Sequence, residues 1–182
     1  MEIFFYKTDS FENRVLSSKN QHETGRKILK KLLAEKYNLD FEIELKNKKP
    51  YLKNNPLFFN ISHSNSLVAL VFCEFEVGLD VEFMKEKNYS AILKYLKYQP
   101  LKNVSKEEFY QLWTVFEAEY KSRIKEKISS FVFEDYMVSI SYPNSLKEED
   151  FGFYLIKNIE KNEIIPLRAP EFLKNLEGKI RA

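Results

Sequence analysis

Apolar residues recur along this chain with two periods, one typical of strands and one typical of helices. Alternating or continuous apolar runs predict strands over residues 3–7, 41–45, 57–61, 67–73, 77–83, 131–142, 151–159 and 164–167. Apolar residues three or four positions apart predict helices over residues 23–37 and 90–98 and beyond Ser105. The pattern therefore favours an α+β fold, with the strands after residue 130 in a second sheet region.

The best-marked helix begins after Ser105. Ser105 followed three residues later by Glu108 is a capping-box pattern, in which each side chain bonds the backbone N–H of the other residue. An apolar stripe follows at helical spacing and comprises Phe109, Leu112, Trp113, Phe116, Tyr120 and Ile124. The spacing predicts that Phe116 and Tyr120 lie at the centre of the buried face, with Glu117 half-buried at its edge and Lys121 one turn further on.

The length and composition suit one large domain or two small ones. The chain has 182 residues, of which 44% are hydrophobic and 15% are aromatic, which is ample for a buried core. The order of the predicted elements is loosely similar in the two halves. We therefore expect two packed α+β lobes, residues 1–87 and residues 88–182, that meet near residues 84–104.

The charges and the single cysteine narrow the class of protein. The chain has 29 Lys and Arg residues against 27 Asp and Glu residues, so any affinity for phosphate must come from local clusters, and nucleic acid is not an expected partner. Cys73 lies in the apolar run 67–73 as an expected core residue, and it excludes an intrachain disulfide. Without a signal-peptide pattern or a membrane-length apolar run, the sequence predicts an unprocessed, soluble cytoplasmic protein.

Two carboxylates stand two residues apart in the predicted strand 77–83. Because strand side chains alternate between faces, Asp80 and Glu82 share a face with Gly78, while the apolar residues between them enter the core. Two carboxylates on one face repel unless a cation neutralises them, and Mg²⁺ prefers such a pair of oxygen ligands. The alternative is a solvated strand face with lysine partners.

Three further sites carry candidate chemistry, each with a plainer alternative. Glu117 and Lys121 are either a surface pair at helical spacing or a third metal carboxylate beside an ammonium that neutralises phosphate. His63 follows a predicted strand, where its imidazole could bind an anion or serve as a structural hydrogen-bonding group. Lys48 and Lys49 are most simply a solvated turn before Pro50. Two histidines and no cysteine cluster argue against a zinc site.

Taken in order, these motifs resemble the signature of the Sfp-type 4′-phosphopantetheinyl transferases. The matching segments are Lys49-Pro50, Phe59-Asn60-Ile61-Ser62-His63-Ser64, Gly78-Leu79-Asp80-Val81-Glu82, and Phe109-Tyr110-Gln111-Leu112-Trp113 followed by Glu117-Ala118 and Lys121. The resemblance spans residues 49–121 and extends more weakly to Gly25-Arg26-Lys27. Each motif alone is weak, but the ordered combination is specific.

The resemblance implies a fold, a reaction and a set of roles. Such proteins are two similar α+β lobes with coenzyme A (CoA) in the cleft between them, and they transfer the phosphopantetheine arm of CoA to a serine of an acyl or peptidyl carrier protein, releasing adenosine 3′,5′-bisphosphate. Two internal lobes would let a monomer form the whole cleft. By this resemblance Mg²⁺ would be held against the CoA pyrophosphate by Asp80, Glu82 and Glu117. The nucleotide end would be lined by Asn60, Ser62 and His63, with His63 facing the 3′-phosphate, while Lys49 would bind phosphate and Lys121 the pyrophosphate.

Glu117 and Lys121 are the expected catalytic residues. Phosphoryl transfer requires in-line positioning and neutralisation of charge, which a carboxylate-bound metal and a lysine can provide. The serine hydroxyl must also lose a proton, and either Glu117 or a water held by the metal is the candidate base.

One position departs from the pattern of the resembling family. That pattern reads Trp-x-x-Lys-Glu-Ala-x-x-Lys, and the first lysine is here Phe116. This change leaves open a relative that binds CoA or a carrier protein with impaired catalysis. A third class, a Mg²⁺-dependent nuclease, would use the same carboxylates but would leave the Asn60 to His63 segment unexplained, and nuclease surfaces usually carry more positive charge.

Overall fold

The computed structural model describes residues 1–9, 14–46, 49–53, 56–95, 104–124, 126–174 and 176 of the chain. Its strands are β1 (Glu2–Lys7), β2 (Ile43–Lys46), β3 (Lys49–Leu52), β4 (Phe58–Ser64), β5 (Leu67–Cys73), β6 (Gly78–Phe83), β7 (Lys127–Phe133), β8 (Tyr136–Tyr142), β9 (Gly152–Asn158) and β10 (Glu163–Leu167). Its helices are α1 (Arg14–Lys31), which continues as a π-helical turn (Leu32–Lys36), α2 (Tyr89–Tyr95), α3 (Lys106–Ser122) and a 3₁₀ turn (Glu148–Asp150). The mixed α and β content agrees with the predicted α+β class.

The strands form one large sheet, one small sheet and a hairpin. The large sheet has the order β10-β9-β1-β5-β4, the small sheet has the order β6-β8-β7, and β2 pairs with β3. All pairs are antiparallel except β1 with β9. The two larger sheets therefore each contain strands from both halves of the chain, and the predicted division into similar lobes at residue 87 stays a prediction.

The prediction that all strands after residue 130 belong to a second sheet is wrong for β9 and β10. In β1 the side chains of Ile3, Phe4 and Phe5 are all buried, so this strand lies inside a sheet with both faces covered. Such a strand needs a partner on each edge, because its backbone N–H and C=O groups have no access to water. The partners are β5 on one edge and β9 on the other.

Four layers build the molecule. The apolar residues Leu79 and Val81 of β6 enter a core that lies between the two sheets and includes Ile3 and Phe5 of β1. On the far side of the large sheet, α1 packs against β4 and β5 through Ile28 and neighbouring apolar residues. On the far side of the small sheet, α3 packs against β6 and β8. The candidate site therefore lies where α3 meets the seam between the sheets.

Several boundaries differ from the predictions. The helix predicted at residue 23 begins at Arg14, although its expected apolar face, Ile28, Leu29, Leu32 and Leu33, is buried as predicted. The segment 131–142 is two strands, because Glu134 adopts a left-handed φ of 54° at the turn between them. In the helix predicted over 90–98, residues 96–98 lie outside the described residues, as does Lys48. Cys73 is buried, as predicted.

The capping box of α3 is confirmed, but the prediction of its buried face is right for Phe109 and Leu112 and wrong further along the helix. Ser105 Oγ accepts from the Glu108 N–H, and the Glu108 carboxylate accepts from the Ser105 N–H. Further along, Phe116 is 41% exposed and Tyr120 is 76% exposed, although both were expected at the centre of the buried stripe. The helix turns a row of small residues toward the sheet instead, and this row comprises Thr114, Ala118 and Ser122.

Small residues on both sides explain this orientation of α3. A Cβ atom at Gly78 would lie 2.0 Å from the Ala118 carbonyl oxygen, so only glycine permits the approach of helix to strand. Hydroxyl pairs bridge the same interface, with Thr114 Oγ1 2.7 Å from Ser139 Oγ and Ser122 Oγ 2.9 Å from Ser141 Oγ. Close packing and satisfied hydroxyls therefore outweigh the burial of two aromatic rings at this interface.

No helix in the described part of the chain combines the length and apolar character that crossing a membrane requires.

Candidate active site

Asp80 lies beneath α3 and is paired with Lys121. The side chain of Asp80 is buried, and its Oδ1 accepts hydrogen bonds from Lys121 Nζ at 2.6 Å and from Ser62 Oγ at 2.9 Å. Lys121 Nζ also donates to the Leu79 carbonyl oxygen at 3.2 Å. The expectation of a solvated strand face is therefore wrong for Asp80, because α3 covers it, whereas the lysine partner of that alternative is present.

Serine side chains join β4 to β6 across the seam between the two sheets. Ser62 Oγ donates to Asp80 and accepts from the Val81 N–H at 3.2 Å. Two residues further on, Ser64 Oγ donates to Glu82 Oε2 at 2.9 Å and accepts from the Phe83 N–H at 3.0 Å. Both carboxylates of β6 are thus fixed by serines with the same two-residue spacing.

Burial disfavours the charged forms of the three predicted metal ligands, and the Asp80 charge adds to this effect at Glu82 and Glu117. The pKa of Asp80 is raised by burial, and the Lys121 ammonium opposes this shift. The pKa values of Glu82 and Glu117 are also raised, in each case mainly by burial and then by the nearby Asp80 charge. Glu82 and Glu117 therefore both sense the charge of Asp80.

The carboxylates of Asp80, Glu82 and Glu117 do not converge on a common position. Among the described residues, no group of three or more His, Cys, Asp or Glu side chains is arranged closely enough to hold a metal ion. Asp80 nevertheless retains an open acceptor, because its buried Oδ2 has no hydrogen-bond partner in the described part of the chain. A cation at Oδ2 would remove the cost of this unpaired oxygen, so the chemistry of Asp80 fits a metal ligand.

A cavity of about 990 Å³ opens beside the carboxylates, between α1, the β2–β3 hairpin, β4 and the end of α3. Basic side chains line it from every one of these elements. They are His22, Arg26 and Lys30 from α1, Lys49 from β3, His63 from β4, Lys121 from α3, and Arg123 immediately after it. Glu119 is the only acidic residue that lines the cavity within the described part of the chain. The cavity therefore suits an anionic ligand.

The cations of the cavity differ in how far they are already neutralised. Lys121 is paired with Asp80, and Lys49 is paired with Glu76, which lies between β5 and β6. Arg26, Lys30 and Arg123 form no ion pair with another described residue. These three side chains consequently carry most of the uncompensated positive charge.

His63 and Asn60 lie on the β4 wall of the cavity. The ring of His63 meets the ring of His22 edge to face, with centroids 6.5 Å apart. The pKa of His63 is lowered mainly by burial and then by the positive charges of His22 and Lys121. Asn60 is buried, and its Oδ1 has no hydrogen-bond partner among the described residues. Both side chains therefore keep polar capacity for a ligand.

The predicted site residues thus gather at two adjoining places that meet at Lys121. Lys49, Asn60, His63 and Lys121 line the cavity. Ser62, Asp80 and Glu82 lie along the seam, and Glu117 lies half-buried on α3 near Asp80. The roles that the resemblance implies for these residues stay predictions.

Sequence reasoning missed part of the cationic lining. His22, Arg26 and Lys30 are spaced four residues apart, so they share one face of α1. In the sequence, Arg26 matched the resembling family only weakly, although this spacing was readable. Arg123 carried no sequence signal, because its place depends on the left-handed φ of 61° that ends α3.

Comparison with known proteins gives one local similarity. No protein-family model matches the chain. A curated protein of Haemophilus influenzae (strain ATCC 51907 / DSM 11121 / KW20 / Rd), named "Putative 4'-phosphopantetheinyl transferase", is 31% identical over 88 residues. The match covers 41% of this chain and 37% of that protein, so the chain aligns with well under half the length of this relative. The similarity supports a distant relationship to the phosphopantetheinyl transferases.

Proposed function

We propose that this protein transfers the 4′-phosphopantetheine arm of CoA to a serine hydroxyl of an acyl or peptidyl carrier protein. The observation that carries the proposal is the position of Lys121, which bonds the buried Asp80 carboxylate and also lines the cationic cavity. An ammonium shared between a carboxylate cluster and an anion-binding cavity suits the pyrophosphate of a nucleotide-like ligand. The local similarity to a named transferase supports the same reaction.

The cavity matches the nucleotide end of CoA in charge and size. That end carries a 3′-phosphate and a pyrophosphate, and Arg26, Lys30 and Arg123 offer cations without an acidic partner among the described residues. A volume of about 990 Å³ is at the upper end of ordinary small-molecule pockets. The phosphopantetheine arm would then lead from Lys121 toward the carboxylates.

Mg²⁺ is the cofactor that this donor set suits. Asp80 would bind it through the open Oδ2, and Glu82 and Glu117 would supply further oxygen ligands. When bound, the ion would neutralise charge on the pyrophosphate and the leaving phosphate. Lys121 would keep its contact with Asp80 or transfer its hydrogen bonds to the pyrophosphate, because its partly exposed side chain reaches both regions.

The reaction forms one bond and breaks one. The serine oxygen attacks the pantetheine-side phosphorus of the pyrophosphate, and the bond from that phosphorus to the bridging oxygen breaks, so that adenosine 3′,5′-bisphosphate leaves. The serine proton goes to a base, for which we propose Glu117, because its partly buried carboxylate lies near Asp80 and one helical turn from Lys121. Lys121 stabilises the negative charge that develops on the leaving oxygen.

Mass spectrometry of an apo carrier protein tests the proposal directly. The carrier is incubated with this protein, CoA and Mg²⁺, and we expect it to gain the mass of one phosphopantetheine arm. Glu117→Gln should abolish the gain. Glu107→Gln, an exposed carboxylate at the beginning of the same helix, is the matched control and should transfer normally.

Calorimetry separates the alternatives. CoA binding without transfer to any carrier would identify a relative with impaired catalysis, as Phe116 allows. Absence of both CoA binding and transfer would reject the proposed function.

A further inference from the structure

Two apolar side chains stand open inside the cationic cavity. Leu45 on β2 is 70% exposed, and the ring of Tyr120 on α3 is also largely exposed. Scattered exposed apolar residues are common on protein surfaces. These two differ because they line the same cavity from separate elements, whereas Phe75 and Phe116, the other large exposed aromatic side chains among the described residues, do not line it.

The ring of Tyr120 is available for stacking. Within the described part of the chain it makes no ring contact and no hydrogen bond. Its neighbours Lys121 and Arg123 line the cavity with it, so a ligand held by these cations comes within reach of the ring. Among phosphorylated ligands, nucleotides combine this negative charge with a flat aromatic ring, and aromatic side chains bind such rings by stacking.

We propose that Tyr120 and Leu45 form a clamp for the purine base of the ligand. Tyr120 stacks on one face of the base and Leu45 contacts the base from the hairpin side of the cavity. The cations then bind the phosphates, and the clamp makes the site prefer a nucleotide over a polyphosphate without a base. The inference rests on the proposed function for the identity of the base, which is the adenine of CoA.

Binding of adenosine 3′,5′-bisphosphate and of inorganic pyrophosphate, measured by calorimetry, tests the clamp. Tyr120→Leu keeps an apolar side chain but removes the ring. We expect it to lower the affinity for the bisphosphate about tenfold and to leave the affinity for pyrophosphate unchanged. Tyr120→Phe should bind like the wild type, because the ring and not the hydroxyl contacts the base. Leu45→Ser should also weaken the bisphosphate selectively. Both side chains replaced, Tyr120 and Leu45, are largely exposed, so all three variants should fold.

A fluorescent ligand gives a signature that a merely structural role would not. The emission of 1,N6-ethenoadenosine 3′,5′-bisphosphate should be quenched by stacking in the wild type and in Tyr120→Phe, and should stay unquenched in Tyr120→Leu. Equal weakening of bisphosphate and pyrophosphate by Tyr120→Leu, or unchanged binding of both, would overturn the clamp.

The same experiment separates this inference from the proposed function. Ring-dependent binding of the bisphosphate together with no transfer to carriers would keep the clamp and reject the transferase. Transfer with unchanged bisphosphate affinity in Tyr120→Leu would keep the transferase and reject the clamp.

Discussion

Lys121 Nζ lies 2.6 Å from Asp80 Oδ1, and the two partners of this ion pair differ sharply in their access to water. The Asp80 side chain is 6% exposed and the Lys121 side chain is 27% exposed. An ammonium that loses its partner here can turn toward solvent, whereas the carboxylate cannot. Removing Lys121 should therefore cost more stability than removing the charge of Asp80.

We expect Lys121→Met to destabilise the protein more than Asp80→Asn does. The first leaves a buried carboxylate without its cation and should cost about 3 kcal/mol, while the second keeps the shape and should cost about 1 kcal/mol. Urea denaturation measures both. Lys106→Met, which breaks the exposed pair with Glu86, is the control and should cost well under 1 kcal/mol. Equally small losses of stability in Lys121→Met and Lys106→Met would contradict this expectation.

Gly78→Ala should displace α3. The added Cβ would meet the Ala118 carbonyl oxygen at 2.0 Å and the Ser122 nitrogen at 2.8 Å, so the helix must move and stability should fall by about 3 kcal/mol. Gly25→Ala in α1 is the matched control. There the nearest atom is a flexible Ile61 methyl at 3.1 Å, and the gain in helix propensity offsets the crowding. Thermal unfolding compares the two variants, and similar transition temperatures would argue against the close helix approach.

The sequence predicted the fold well where a local pattern determines which residues are buried. It failed where contacts with a distant segment determine this. The apolar face of α1 around Ile28 and the capping box at Ser105 are local patterns, and both were found. The buried face of α3 depends on Gly78 and on serines of β8, which are distant in sequence. The pairing of β9 with β1 likewise depends on a strand some 150 residues away, so the sheet assignment failed.

His63 should make stability depend on pH. Its pKa in the folded protein lies below the ordinary value of about 6.5, because of burial and the charges of His22 and Lys121 that face it. As pH falls below about 6.5, the unfolded chain takes up the proton first, and stability is lost until folded His63 also becomes protonated.

Chemical denaturation of the wild type and of His63→Gln between about pH 5 and pH 8 checks this sign. The wild type should lose stability relative to the variant as pH falls. The raised pKa values of Asp80, Glu82 and Glu117 act in the opposite sense, but they are common to both proteins and cancel in the difference. A pH-independent difference would show that His63 titrates normally.

Arg26 should contribute more to anion binding than Lys49. Lys49 is already neutralised by Glu76, whereas Arg26 has no acidic partner among the described residues. We expect Arg26→Ala to weaken the binding of adenosine 3′,5′-bisphosphate by about 2 kcal/mol, and Lys49→Ala to weaken this binding by less. Glu76→Gln should free Lys49 and strengthen binding. Calorimetry at one salt concentration gives all three values, and a larger loss of affinity in Lys49→Ala than in Arg26→Ala would contradict this ranking.

Phe116→Lys introduces the lysine found in the resembling family, and we expect it to leave the stability of the fold nearly unchanged. Because the Phe116 side chain is 41% exposed, an ammonium there can reach solvent, and stability should change by about 0.5 kcal/mol at most. We expect the wild type to transfer the arm without this lysine. An inert wild type beside an active Phe116→Lys, in single-turnover assays with several carriers, would show that the lysine is required.

The candidate site was predictable where its residues follow a strand or helix period. The two-residue spacing of Asp80 and Glu82 and the four-residue spacing of Glu117 and Lys121 placed each pair on one face, as observed. The link between Lys49 and Glu76 was not readable, because it joins a hairpin to a turn through a contact across the fold. The open ring of Tyr120 was missed for the same reason as the face of α3.

The serines of the seam also favour the correct pairing register of β6 during folding. Ser62 and Ser64 repeat with the same period as Asp80 and Glu82, so four polar groups fit together in only one alignment. A β6 strand paired one residue out of step would turn Asp80 into the apolar core and present Leu79 or Val81 to the serine hydroxyls. The residues proposed to hold the metal therefore also disfavour the misaligned sheet.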